Sequence, residues 1–287
     1  MRKQNKRHRK IRKCIEGPNF SGQHLLHNKK IVEDVINRAQ ITKKDTVMEI
    51  GAGKGAFTLP LAEKAGKVLA VENDKEFVEI LKQKTEPSSN VKIIAEDFLK
   101  CYLPKEPFSV VASIPYAITT PIMEKLLHHP GKSFKKPTIV MEKGAAMRFT
   151  ATPITNPKIL KWRMWFDLKV ERFISRTNFS PPPKVDSAVL CLRKKTQPSV
   201  PQKHHQRFQR LADYALQHPK LPFHEALKSV FTSKQIKHIT RDAGIERFQP
   251  ISSLDEYQWG TVFYAMIDHV EPVKWPKKRK TGRRGRG

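Results

Sequence analysis

Acidic residues are scarce in this 287-residue chain: 27 Asp and Glu stand against 55 Lys and Arg, for a net charge of +28. At both ends they are absent. Residues 1 to 13 hold eight Lys or Arg and residues 274 to 287 hold eight more, with no acid in either segment. Setting those sixteen charges aside leaves +12 on the body between them, so the folded part is basic in its own right. A polyanionic partner is the expectation, because each phosphate neutralised by Lys or Arg releases counterions and adds affinity. Tails that served only solubility or adhesion to a membrane surface would leave the basic body unexplained.

Cysteine is also sparse. Cys14, Cys101 and Cys191 are an odd number, far apart, with no C-x-x-C and no His at ligand spacing. Neither a disulfide framework nor a zinc site is expected, and no metal. No apolar run of signal-peptide length follows the cationic start, and no segment has the ~20 apolar residues that cross a bilayer. The expectation is a soluble, cytoplasmic, monomeric protein with no membrane partner. No internal repeat is present, and the length suits roughly two domains.

What is present begins with a helical pattern. After Gly22-Gln23-His24-Leu25-Leu26, the residues Ile31, Val32, Val35 and Ile36 recur at helical spacing between Lys29 and Gln40. An alternation follows. Strands are predicted over 46–50, 67–72, 91–95, 108–112 and 137–141, with helices near 56–65, 74–84 and 120–128. Strands that alternate with helices of this length imply right-handed crossovers and a mostly parallel sheet covered on both faces. Ligands of such sheets bind beyond the carboxyl ends of the strands.

Beyond Met141 the pattern changes. Residues 160 to 174 are aromatic and mixed, Asn178 to Lys184 forms a proline-stiffened loop, and 186–193 alternates as a closing strand. Thr196 to Gln202, polar with two prolines, reads as a linker, and residues 204 to 270 read as helical. The expected division is a basic arm over 1–18, an α/β domain over 19–195, a helical domain over 196–270 and a basic tail over 271–287.

The chemistry lies at the strand ends. Val47 to Ile50 runs into Gly51-Ala52-Gly53-Lys54-Gly55, a G-x-G-x-G one residue tighter than the G-x-G-x-x-G of dinucleotide binders. A dinucleotide needs a helix N-terminus for its pyrophosphate, whereas S-adenosylmethionine offers an amino acid moiety and a ribose. Glu72, ending the second strand, is placed to accept from two ribose hydroxyls, and Asp97, after the third, from the cofactor's adenine amino group. Ser113-Ile114-Pro115-Tyr116 carries the reaction. An adenine amino nitrogen is a weak nucleophile because its lone pair is conjugated with the ring. Two acceptors for its N–H groups favour pyramidal geometry: the backbone carbonyl before Pro115 and the Ser113 side chain. Tyr116 can stack on the base, and Phe179 on the opposite face. Positioning and electrostatics then do most of the acceleration. Such a base must be single-stranded, looped or flipped out.

These motifs, in this order, resemble the Erm group of ribosomal RNA adenine N6-methyltransferases, relatives of the small-subunit dimethyladenosine transferases. The resemblance covers about Gly22 to Arg193. It implies a Rossmann-like α/β methyltransferase fold with a smaller C-terminal helical domain, and S-adenosylmethionine as cofactor. It also implies N6-methylation of one adenine in the peptidyl-transferase region of 23S rRNA, giving macrolide, lincosamide and streptogramin B resistance. Carried over by motif, the cofactor contacts are His24, Leu26, Gly51, Gly53, Glu72, Asp97 and Ser113; the catalytic loop is Ser113, Ile114, Pro115 and Tyr116, with Phe179. Two positions depart from common usage, His24 and Ser113, each often Asn in the family. The alternatives are the housekeeping small-subunit enzyme, which more often shows Asn-Leu-Pro-Tyr, and an RNA-binding protein of the same fold with weak catalysis. A nucleotide-dependent dehydrogenase is disfavoured by the glycine spacing.

Overall fold

A computed structural model describes residues 24–128 and 136–277. The expected arm over 1–18, the Gly22-Gln23 pair, Cys14 and tail residues 278–287 lie outside the described residues.

Nine strands and ten α-helices are described. The strands are β1 (Leu25–Leu26), β2 (Thr46–Ile50), β3 (Lys67–Glu72), β4 (Val91–Ala95), β5 (Ser109–Ser113), β6 (Thr138–Glu142), β7 (Phe166–Ile174), β8 (Phe179–Ser180) and β9 (Ser187–Lys194). The helices are α1 (Lys29–Ala39), α2 (Thr58–Lys64), α3 (Lys75–Thr85), α4 (Thr119–Leu127), α5 (Lys143–Thr150) and α6 (Pro157–Trp165), then α7 (His205–Ala215), α8 (Phe223–Ala226), α9 (Ser233–Asp242) and α10 (Glu256–His269).

Seven strands form one sheet in the order β4-β3-β2-β5-β6-β9-β7, while β1 and β8 pair separately. Neighbours from β4 across to β6 are parallel, and β9 joins β6 antiparallel. The chain leaves β2 toward β3 and β4, then returns to place β5 on the other side of β2. That reversal opens a crevice at the carboxyl ends of β2 and β5, the position where open α/β sheets bind ligands. The central strands are mostly apolar because both faces are covered: Val47, Met48, Val68, Ala70, Val110 and Val111 have no exposed surface.

The helices start where the sequence supplies caps. Asn28 accepts from the Lys30 and Ile31 amides, and Asp74 from those of Glu76 and Phe77. Each such cap contributes about 1 kcal/mol. Helix α1 buries Ile31, Val32, Val35, Ile36 and Ala39, the stripe its spacing predicts.

The described residues divide into two compact units, one of 24–128, 136–150 and 168–193, the other of 151–167 and 194–277. This differs from the division expected from the sequence, which placed 151–167 with the sheet. Trp165 explains the difference. Its indole donates to the Val200 carbonyl at 2.7 Å, and its ring meets Phe208 edge to face, with centroids 5.6 Å apart. Phe208 in turn packs edge-on against Trp259 and Phe263, so the second unit has an aromatic core of its own.

Candidate active site

A cavity of 730 Å³ opens at the crevice. Its wall includes His24, Leu26, Gly51, Gly53, Glu72, Ser113, Ile114, Pro115 and Tyr116, so the structure brings together nine of the eleven site residues singled out in the sequence. The glycines are required by backbone geometry. Gly51 and Gly53 have φ of 72° and 53°, and a Cβ on Gly53 would come within 2.9 Å of a Leu25 methyl. The amides of Gly51 and Ala52 both donate to the Val71 carbonyl, which ties the turn to the end of β3.

Glu72 is 5% exposed and organises that turn. Its Oε2 accepts from the Gly53 amide at 2.7 Å, and its Oε1 from the amides of Asn73 and Asp74, both at 2.9 Å. A carboxylate has about four acceptor positions. Three are taken by the protein, which leaves room for one hydroxyl rather than the two expected from the sequence, unless the Gly53 amide is released.

Glu49 was not among the residues picked out from the sequence. It interrupts the apolar run of β2 between Met48 and Ile50, is 1% exposed, and lines the same cavity. The Thr58 hydroxyl donates to it at 2.6 Å. Burial, with the Glu72 charge adding, pushes its carboxyl up to about 8. A lone acid inside a central strand is the sequence signal that points to it, because an unpaired buried carboxylate is costly unless it has a task.

The Ser113–Tyr116 loop leaves the end of β5. The Ile114 amide donates to the Val140 carbonyl at 3.0 Å, which anchors the loop to β6. The Ile114 carbonyl takes no backbone hydrogen bond among the described residues, and the Ser113 hydroxyl, half-buried on the cavity wall, has no partner among them either. Two acceptors are therefore uncommitted on adjacent residues. Tyr116 is held by Ser187: their hydroxyls are 2.5 Å apart, and Ser187 is fully buried. Burial raises the Tyr116 phenol above its usual range, with the Ser187 bond opposing. The His24 ring lies 5.7 Å from the Tyr116 ring, and its Nδ1 is 2.7 Å from the Pro181 carbonyl. Ser187 stands 71 residues from Tyr116, and no local spacing in the sequence points to it.

Two expected site residues are placed elsewhere. Phe179 is 2% exposed and belongs to the hydrophobic core with Leu26, Ile31, Val140 and Val189. Its ring has no free face for a base, and Ser180 beside it lines the cavity instead. Asp97 is half-buried in the turn after β4 and is not on the cavity wall. Its carboxylate accepts from the Leu99 amide at 2.9 Å and so closes its own turn. Lys125 secures that turn from α4, donating to the carbonyls of Phe98 and Cys101 at 2.6 and 2.5 Å.

The cavity suits S-adenosylmethionine on the chemistry of its donor set. The buried Glu72 carboxylate favours a ligand that carries positive charge, and a glycine turn without Cβ atoms permits close approach to the backbone.

The comparisons with known proteins agree with this geometry. The family model described as ribosomal RNA adenine dimethylase matches residues 17–268. A curated relative from Bacillus licheniformis, named rRNA adenine N-6-methyltransferase, is 52% identical over 269 residues, covering 93% of this chain and 94% of that protein. One of the same name from Bacillus anthracis matches with the same identity and coverage. Among solved structures, the 23S rRNA methyltransferase ErmE aligns with a TM-score of 0.74 at 23% identity, covering 85% of this chain and 99% of that one, a likeness of fold.

Proposed function

The chain belongs to the ribosomal RNA adenine dimethylase family and is a methyltransferase, and on that premise we propose that it transfers methyl groups from S-adenosylmethionine to N6 of one adenine in the peptidyl-transferase region of 23S rRNA. One or two methyls on that nitrogen would confer resistance to macrolides, lincosamides and streptogramin B. The observation that carries the proposal is the pair of uncommitted acceptors, the Ser113 hydroxyl and the Ile114 carbonyl, on the wall of the cavity organised by Glu72.

S-adenosylmethionine, when bound, supplies an electrophilic methyl on a sulfonium. The chain's own part is positioning. Gly51 and Gly53 admit the cofactor close to the backbone, and Glu72 offers its remaining acceptor position to a ribose hydroxyl. The Ile114 carbonyl and Ser113 hydroxyl accept from the two N–H groups of the target amine, which turns its lone pair out of conjugation. Tyr116, braced by Ser187, stacks on the base. The nitrogen becomes acidic as the new bond forms, so its proton passes to water without a strong general base. Holding the reactants in line accounts for several kcal/mol of the barrier. His24 and Leu26 are assigned to the cofactor side of the cavity. Asp97 keeps an indirect part, since its turn shapes the loop after β4.

We assign the enzyme to the cytoplasm on the ground of its proposed ribosomal RNA substrate. No helix among the described residues is long and apolar enough to cross a membrane. Primer extension on protein-free 23S rRNA, after incubation with the protein and S-adenosylmethionine, tests the assignment. A stop at one adenine of the peptidyl-transferase region is expected; a stop in small-subunit RNA alone would instead make the chain the housekeeping enzyme.

A further inference from the structure

The second unit carries a concave site of opposite charge character. A cavity of 230 Å³ lies where α7 meets the segment after α10. Arg207, Arg210 and Lys277 line it, with Trp275, and no carboxylate does. Arg207 and Arg210 stand three positions apart, on one face of α7. The Trp275 indole donates to the Val270 carbonyl at 2.8 Å, and the Arg207 guanidinium stacks over its ring, 5.4 Å from the centroid. The acids closest in sequence are occupied: Asp213 accepts from Gln209 at 2.7 Å and Glu271 is paired with Lys274 at 3.8 Å. A larger groove between α9 and α10 has Asp242 and Asp268 beside its cations, so charge singles out the smaller site.

We infer that Arg207, Arg210 and Lys277 form a seat for the phosphodiester backbone of the RNA, separate from the methyl-transfer cavity. Three cations on a lining without a carboxylate leave a local positive charge that a phosphate anion can pair with. A guanidinium presents a planar fork that matches phosphate oxygens two at a time, and stacking on Trp275 holds the Arg207 fork in one orientation, so less freedom is lost on binding. The position in the chain strengthens the case. Lys277 begins the run that continues into residues 278 to 287, where six more Lys or Arg follow. Trp275 thus pins the root of the basic tail next to the two arginines. Phosphate contacts of this kind fix register and orientation without reading bases. The choice of RNA as the polyanion rests on the proposed function.

The test is the salt dependence of binding to a labelled, protein-free transcript of the peptidyl-transferase region, followed by fluorescence anisotropy with the full chain. Each phosphate contact contributes about 0.7 to 0.9 to the slope of log K against log salt. Replacing two cations in Arg207→Gln/Arg210→Gln should make the slope shallower by about 1.5, with S-adenosylmethionine binding unchanged. Arg207→Lys/Arg210→Lys keeps the charge and should keep the slope. An unchanged slope in the Gln variant, or an equal loss in both variants, would overturn the assignment. Methyl transfer to the same transcript is measured in parallel. If the slope shifts as expected while no adenine is methylated, the phosphate seat stands and the proposed reaction fails.

Discussion

The cavity at the sheet and the cleft beside α7 are built from opposite materials. At the sheet, two buried acidic side chains, the proton-keeping Glu49 and the charged Glu72, face a glycine turn whose amides are largely committed to holding the loops. Beside α7, exposed guanidinium groups and an ammonium stand without acids on a helix surface. The first is recessed and braced by hydrogen bonds, suited to a small cationic ligand held in one pose. The second is wet and charged, suited to a long polyanion that needs anchoring rather than alignment. A methyltransferase acting on one adenine of a large RNA needs both, and the protein separates them: precise geometry comes from the parallel sheet, and the electrostatic hold comes from the helical unit.

The largest break in this contrast should come from Glu72→Ala. It removes the acceptor of three backbone amides and the proposed ribose contact together. Affinity for S-adenosylmethionine, read by calorimetric titration, should fall by at least about 100-fold, roughly 2.8 kcal/mol at about 1.4 kcal/mol per decade. RNA binding should hold. Equal losses in both would mean that the two regions are not independent.

Tyr116→Ala comes next. Base stacking on an aromatic ring is worth about 1–3 kcal/mol, so kcat/KM for methyl transfer should drop by about 5- to 150-fold with cofactor affinity kept. Tyr116→Phe loses only the Ser187 bond and should cost less than the alanine; if the two variants match, the hydroxyl rather than the ring face is what matters.

Glu49 sharpens the comparison through pH. Its carboxyl is raised to about 8 in the folded protein from an ordinary value of 4.5. Between those values the folded chain keeps a proton that the unfolded chain has released, so stability from this group falls as pH rises through the window. Glu49→Gln cannot ionise. Thermal unfolding followed from pH 5 to pH 8 should therefore show the variant gaining on the parent, by at most about 1.4 kcal/mol per pH unit. Parallel curves would place the carboxyl in water.

The smallest effect belongs to Ser113→Asn, which lengthens an acceptor already on the cavity wall. Transfer rates should be equal or a few-fold higher, and a large fall would move the amine away from Ser113.

The strands of the sheet's centre were legible because they are buried on both faces: 46–50 and 67–72 stand as the apolar runs bounded by turn residues predict, while the edge strand 91–95 was legible from Val91, Ile93 and Ile94 although none of its residues is fully buried. Strand β7 was not. Its sequence, Phe166-Asp167-Leu168-Lys169-Val170-Glu171-Arg172-Phe173-Ile174, mixes charge with aromatics because it is the last strand of the sheet and much of it is exposed. The β1–β8 pair, two residues each, is too short to leave a pattern. In the site, the glycine turn, Glu72 and the Ser-Ile-Pro-Tyr loop were readable because each ends a strand. The motif around Phe179 was readable but its role was not: the ring fills the core, and sequence alone does not say which way a loop aromatic points. Glu49 and Ser187 act through burial and long-range contact, which only the fold displays.

The most direct measurement is mass spectrometry of nucleosides from protein-free 23S rRNA incubated with the purified protein and S-adenosylmethionine. The expected result is N6-methylated adenosine confined to one peptidyl-transferase fragment, and lost with Glu72→Ala. RNA that comes back unmodified, or methyl groups on ring nitrogens or on other bases, would contradict the claim that the Ser113 hydroxyl and the Ile114 carbonyl hold the target amine.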